Sequence, residues 1–205
     1  MSGTIGDNVY RASGVIASAA ASADFVLLNT TTVDGTATSV TVDGHYTADY
    51  INYMAQICIS PDDTCNFKMQ YTKLGDGTAI TTSNYRRTCF FTQANSGTTT
   101  TATEKEWNTD HILMNNSVDT VVADDHNYNP CWRGQLWIYN PLDTTGSFKQ
   151  TYHVASWDGN SSANAFAGFY YGYNYGQATT AMTGFKIETS TGTIDWGQIK
   201  LYGLK

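Results

Sequence analysis

Charge is scarce in this chain. Asp, Glu, Lys and Arg make up 14% of the 205 residues, against about a quarter in an average globular protein. What charge there is leans negative, with 18 acidic residues against 11 basic ones and a net charge of -7. That balance excludes a nucleic-acid binder working through a basic surface. Proline occurs 3 times and cysteine 4 times. Four cysteines, at 58, 65, 89 and 131, are too few for a disulfide scaffold of this length, and no C-x-x-C pair suggests zinc. No run approaches the ~18 apolar residues of a membrane span. Residues 1–7 lack a basic n-region and an apolar h-region, so no secretory signal is expected and the sequons at Asn29, Asn115 and Asn160 read as chance. There is no G-x-S-x-G elbow, no P-loop, no G-x-G-x-x-G after a strand and no H-E-x-x-H. The expectation is a protein that is not an enzyme, with no catalytic residue, metal or cofactor. His45, His111, His126 and His153 are far apart. Asp124-Asp125-His126 is the densest polar cluster, and without the oxygen-rich spacing of a calcium loop it reads as a solvated turn.

What fills the gap is Thr, Gly, Asn, Ser and Tyr, with Thr alone at about 15%. β-Branched and aromatic side chains suit a pleated surface, and Gly and Asn suit turns, so the composition favours strands and excludes a helical bundle. From Asp24 onward short strand signals recur about every ten residues between turn signals. Phe25–Leu28 is an apolar run, and Phe67, Met69 and Tyr71 alternate with Lys68, Gln70 and Thr72. Tyr85–Phe91 reads as a strand with Arg86 and Arg87 near a surface. Asn95–Thr103 reads as a Thr-rich loop, followed by one short helix near Thr103–Trp107. Trp132, Gly134, Leu136 and Ile138 share one face of a strand, with Arg133, Gln135, Trp137 and Tyr139 on the other. This pattern predicts an all-β, antiparallel β-sandwich of jelly-roll type over residues 24–205. Residues 1–23, rich in Ala, Ser and Gly, read as an extended N-terminal arm. Its Ile5, Val9, Tyr10, Arg11, Val15 and Ile16 are the candidate partner contacts.

Ser60-Pro61-Asp62-Asp63 has the composition of a type I turn. A two-residue loop there would set Cys58 opposite Cys65 in a hairpin, at a site ill-suited to a disulfide. Reduced thiols packed as small hydrophobes are the plainer expectation. Phe166–Gly176 reads FAGFYYGYNYG. Two readings stand: an aromatic platform for sugar rings, with Tyr171, Tyr173 and Tyr175 as candidate glycan or subunit contacts, or strand and interface packing. Near the end, Phe185 and Ile187 face one way and Lys186 and Glu188 the other, before a turn at Thr189–Gly192. The apolar period then slips from Ile194 and Trp196 to Ile199 and Leu201, which predicts a β-bulge at Gly197–Gln198.

The ending carries a resemblance. Thr183-Gly184-Phe185-Lys186-Ile187, then Ser190-Thr191-Gly192, then Gly197-Gln198-Ile199-Lys200-Leu201-Tyr202-Gly203-Leu204-Lys205 resembles the carboxyl end of a β-jelly-roll domain of bacteriophage virion proteins, above all those of marine and cyanobacterial phages. Gly134–Pro141 is similar to that family's strand ending in Asn-Pro, and Tyr50–Tyr71 to its first hairpin. The resemblance runs through residues 45–205 in scattered motifs. It implies a virion structural protein, assembled in the host cytoplasm and exposed on the particle, often as a homotrimer. Size, the low-charge surface and the arm then favour a trimeric capsid decoration, or cement, protein bound to the major capsid protein or other virion subunits, with no nucleic-acid or membrane partner. The alternative is a tail-fibre or head-fibre tip binding host glycans. Trp107, Trp157 and the tyrosine tract would suit sugars, but no shaft sequence is present to project such a tip.

Overall fold

The computed structural model describes residues 24–73, 77–95, 98–115, 120–121, 131–159 and 165–205. The expected arm, with its six candidate contacts, and the Asp124–His126 cluster lie outside these residues. Twelve strands follow one another: β1 (Phe25–Val33), β2 (Ser39–Val42), β3 (Asn52–Pro61), β4 (Phe67–Lys73), β5 (Tyr85–Asn95), β6 (Thr98–Thr109), β7 (Ile112–Leu113), β8 (Trp132–Tyr139), β9 (Lys149–Asp158), β10 (Ala165–Asn174), β11 (Met182–Thr189) and β12 (Ile194–Leu204). They form two antiparallel sheets packed face to face. The large sheet runs β1-β12-β3-β8-β9-β10-β5-β6 and the small one β2-β11-β4-β7. The molecule is an all-β sandwich.

Period-two alternation of burial drives this arrangement. In β10, Phe166, Gly168, Tyr170, Gly172 and Asn174 point inward, and Ala167, Phe169, Tyr171 and Tyr173 point outward. β8 buries Trp132, Leu136 and Ile138 as its alternation predicts. The core joins Tyr53, Ile57, Ile59 and Leu136 of the large sheet to Phe67, Met69, Phe185 and Ile187 of the small one. Two buried polar side chains of the large sheet reach partners across the gap. The Trp132 indole donates to the Met114 carbonyl at 3.0 Å. The Tyr85 hydroxyl accepts from the Tyr71 amide at 2.9 Å and donates to the Ile80 carbonyl at 3.0 Å.

Several expectations are corrected. β3 and β4 do not make a hairpin: β3 pairs with β12 and β8, and β4 with β11 and β7. The turn at Ser60–Asp63 is a crossing between sheets. It is pinned by Asp62, whose carboxylate accepts from the Thr193 amide and, at 2.9 Å, from the Thr193 hydroxyl. Cys58 and Cys65 therefore do not face each other. β11 and β12 also part at Gly192, which takes φ +65° beside Asp62. The bulge lies earlier than predicted, between Ile194 and Trp196, so Gly197 is in regular register with Ile59. The Thr-rich segment and the supposed helix are both strand β6, paired with β5 from Asn95↔Thr98 to Tyr85↔Thr109. Side-chain pairing along a neighbour outweighs the Glu-Lys-Glu helix preference there. Arg87 is not near a surface but buried.

Candidate binding face

The two sheets share one core, so the large sheet keeps a second face outside it. Register places its side chains in rows across the strands. One row runs Leu27, Tyr202, Met54, Trp137, Tyr152, Tyr171, Thr88 and Lys105. The row on one side runs Phe25, Leu204, Asn52, Tyr139, Gln150, Tyr173, Arg86 and Trp107. On the other side lie Lys200, Gln56, Gln135, Val154, Phe169, Phe90 and Thr103, and beyond them Gln198, Cys58, Arg133, Ser156, Ala167, Thr92 and Thr101.

This face is rich in rings. Phe169 is 53% exposed, Trp107 58% and Tyr171 37%. Tyr152 and Phe169 stack at 6.4 Å between centroids, Phe148 and Tyr173 at 5.6 Å, and Tyr171 meets Tyr173 at 5.9 Å. Phe25 of β1 and Trp137 of β8 lean together at 6.1 Å, edge to face, over the intervening Met54. Arg86 lies between two rings, 4.6 Å from the Trp107 centroid and 4.5 Å from that of Tyr175. The Tyr175 hydroxyl is itself held by the Asn108 side chain at 2.9 Å.

Beside the rings lies an open trough of about 710 Å³. Its walls include the side chains of Gln56, Gln135, Gln198, Ser156, Arg133 and Lys200, and its middle is kept low by Val154 and Ala167. Small residues there leave room above the sheet, and three carboxamides offer both donors and acceptors.

Of the residues expected to make contacts, Tyr171 and Tyr173 are on this face and Tyr175 lies just beyond the end of β10. Trp107 is there too. Trp157 is not: it is 2% exposed, in the core, stacked on Phe166 at 5.3 Å. Sequence reading missed Tyr152 and the glutamines, because each is one unremarkable outward residue on a different strand, and within the Phe166–Gly176 tract it named the tyrosines but not Phe169. Besides the tyrosine tract, the alternation of β8, with Trp137 and Tyr139 opposite Trp132, was a signal pointing to this side.

The four cysteines are free thiols. Cys65 is buried and its thiol is pushed up to about 12 by loss of solvent. Cys58 has Cys131 as its thiol neighbour, with Sγ atoms 3.7 Å apart. Among the described residues no cluster of three or more His, Cys, Asp or Glu could hold a metal. No family model matches this chain, and neither does any curated protein or solved structure.

Proposed function

We propose that the chain is a phage virion structural protein, a jelly-roll subunit of the capsid-decoration type assembled as a homotrimer. One observation carries this reading, the place of the carboxyl-terminal signature in the fold. Its two halves are β11 and β12, and each is an interior strand: β11 lies between β2 and β4, β12 between β1 and β3. Around them the orders β2-β11-β4-β7 and β1-β12-β3-β8 support a jelly-roll reading of the sandwich, with β5-β6 and β9-β10 read as paired additions that widen one sheet. The motif that resembles the virion family thus supplies an interior strand to each sheet. A fold hosts many functions, so the virion role rests on the resemblance, and the strand order supports it.

Copy number in purified particles tests the reading. Quantitative mass spectrometry against the major capsid protein should give hundreds of copies per particle, and light scattering of the purified protein should give a trimer. A handful of copies would place it at a fibre or tail, and absence from particles would end the virion reading. The fibre-tip alternative is favoured by the ring-lined face and its trough.

A further inference from the structure

We propose that the outer face of the large sheet is a binding site for an acidic polysaccharide, a sugar chain bearing carboxylates such as uronic acids. Three observations on the same face converge on that ligand, and none depends on the virion reading.

The first is charge. The four rows contain four cations, Arg86, Lys105, Arg133 and Lys200, and no carboxylate; an acid of this face, Asp158, stands one row further along β9, at their border. In a chain with 18 acidic and 11 basic residues, that segregation runs against composition. It gives an acidic protein one face whose own side chains favour an anion. The second is the trough. Arg133 and Lys200 stand in its walls with Gln56, Gln135 and Gln198. A row of amides suits a ligand dense in hydroxyl groups, each of which both donates and accepts. A protein partner's apolar anchor would leave those amides buried and unpaired, at a cost. The third is the ring platform beside the trough. Tyr152 and Phe169 present nearly parallel rings, 26° apart, at its rim. The negative face of an aromatic ring attracts the weakly positive C–H groups of a sugar ring, so flat exposed rings align a chain that the polar groups then fix. Arg133 is the group placed to take a carboxylate, since its planar fork makes two parallel hydrogen bonds to one.

The test uses the full-length protein with polygalacturonate as the acidic probe and dextran as the neutral one, by affinity electrophoresis and by titration of tryptophan fluorescence. Polygalacturonate should bind, weakening as salt rises, and dextran should bind at least tenfold more weakly. The double variant Arg133→Gln, Lys200→Gln and the single variant Phe169→Ala should each weaken polygalacturonate binding tenfold or more. Lys186→Gln, on the small sheet, should leave it unchanged. All these positions are partly or fully exposed, so unchanged circular dichroism is expected, and should the double variant misfold, Trp137→Phe reads the same face by reducing the fluorescence response, the remainder coming from Trp107. Absence of polygalacturonate binding overturns the proposal. So does equal binding of dextran, or binding indifferent to the Arg133 and Lys200 changes. Self-association that is concentration-dependent and lost in Phe169→Ala would also overturn it, because the face would then be an interface between copies.

Discussion

His153 is fully buried on β9, its ring flat against Tyr170 with centroids 4.4 Å apart and planes 4° apart. Its Nε2 lies 3.2 Å from the Met114 carbonyl, and as the only hydrogen bond that pairing allows is N–H to O, Nε2 carries a proton. Loss of solvent is the main cause that pushes the imidazole down to about 3, and the nearby Arg87 guanidinium adds to it. Between about pH 6.5 and pH 3 the unfolded chain therefore carries a proton the folded one refuses. The stability held by neutral His153 is complete above that window and lost as pH falls through it. The urea midpoint should drop between pH 6.5 and pH 4, with a slope from this group of at most about 1.4 kcal/mol per pH unit. His153→Phe keeps a ring on Tyr170 but no proton site, so its profile should be flatter than the parent's. Arg87 makes a second prediction at this scale. Its side chain is wholly buried, with the guanidinium 3.0 Å from Glu104 and 3.2 Å from Glu106, and it donates to the Asn115 carbonyl at 2.8 Å. The Glu106 contact is a charge pair without hydrogen-bond alignment, since the Arg87 Nε lacks a bonding partner among the described atoms. Arg87→Met should cost about 3 kcal/mol in urea denaturation, because two partly covered carboxylates lose their cation.

At the scale of elements, the glycines of the signature explain why it has the form it does. A Cβ on Gly184 would stand 2.0 Å from the Val42 carbonyl oxygen, and one on Gly203 2.5 Å from the Tyr50 ring. Backbone cannot move aside as a side-chain tip can, so Gly184→Ala should cost about 3 kcal/mol by urea denaturation and disturb the β2–β11 pairing. Tyr171→Ala, on the outward side of β10, should change stability by only about 0.5 kcal/mol, since its ring is not in the core. The contrast marks what could be read ahead of the structure. Strands such as β8, β10 and β11 announced themselves by alternation, because local spacing alone decides which side is buried. The partner of each strand did not. β3 and β4 look like a hairpin across Pro61, but which sheet receives each is decided by β12 and β11, more than a hundred residues away. β6 looked like loop and helix because its threonines and its Glu-Lys-Glu have no inward apolar row, and only β5 holds it. The binding face was half legible: tyrosines clustered in sequence were noticed, and Tyr152 and the three glutamines, contributed singly by four strands, were not.

For the whole molecule, both sheets and the entire core seen among the described residues lie between Asp24 and Lys205. Residues 1–23 have a different composition, with few rings and little charge, and under the decoration reading they serve contact with other virion subunits. The two roles should then separate on truncation. A chain beginning at Asp24 keeps every strand pairing described, including β1 with β12 from Phe25↔Leu204 onward. Its thermal midpoint should lie within about 2 °C of the parent's, because every core residue described is kept. It should still be a trimer by light scattering. Added to particles lacking the protein, it should bind to far fewer sites than the full-length chain, measured by quantitative mass spectrometry after gradient purification. Full occupancy by the truncated chain would shift attachment onto the sandwich itself. A large fall in the midpoint would instead show that residues 1–23 pack on their own domain, making them part of its fold and leaving the particle contact to be found elsewhere on the surface.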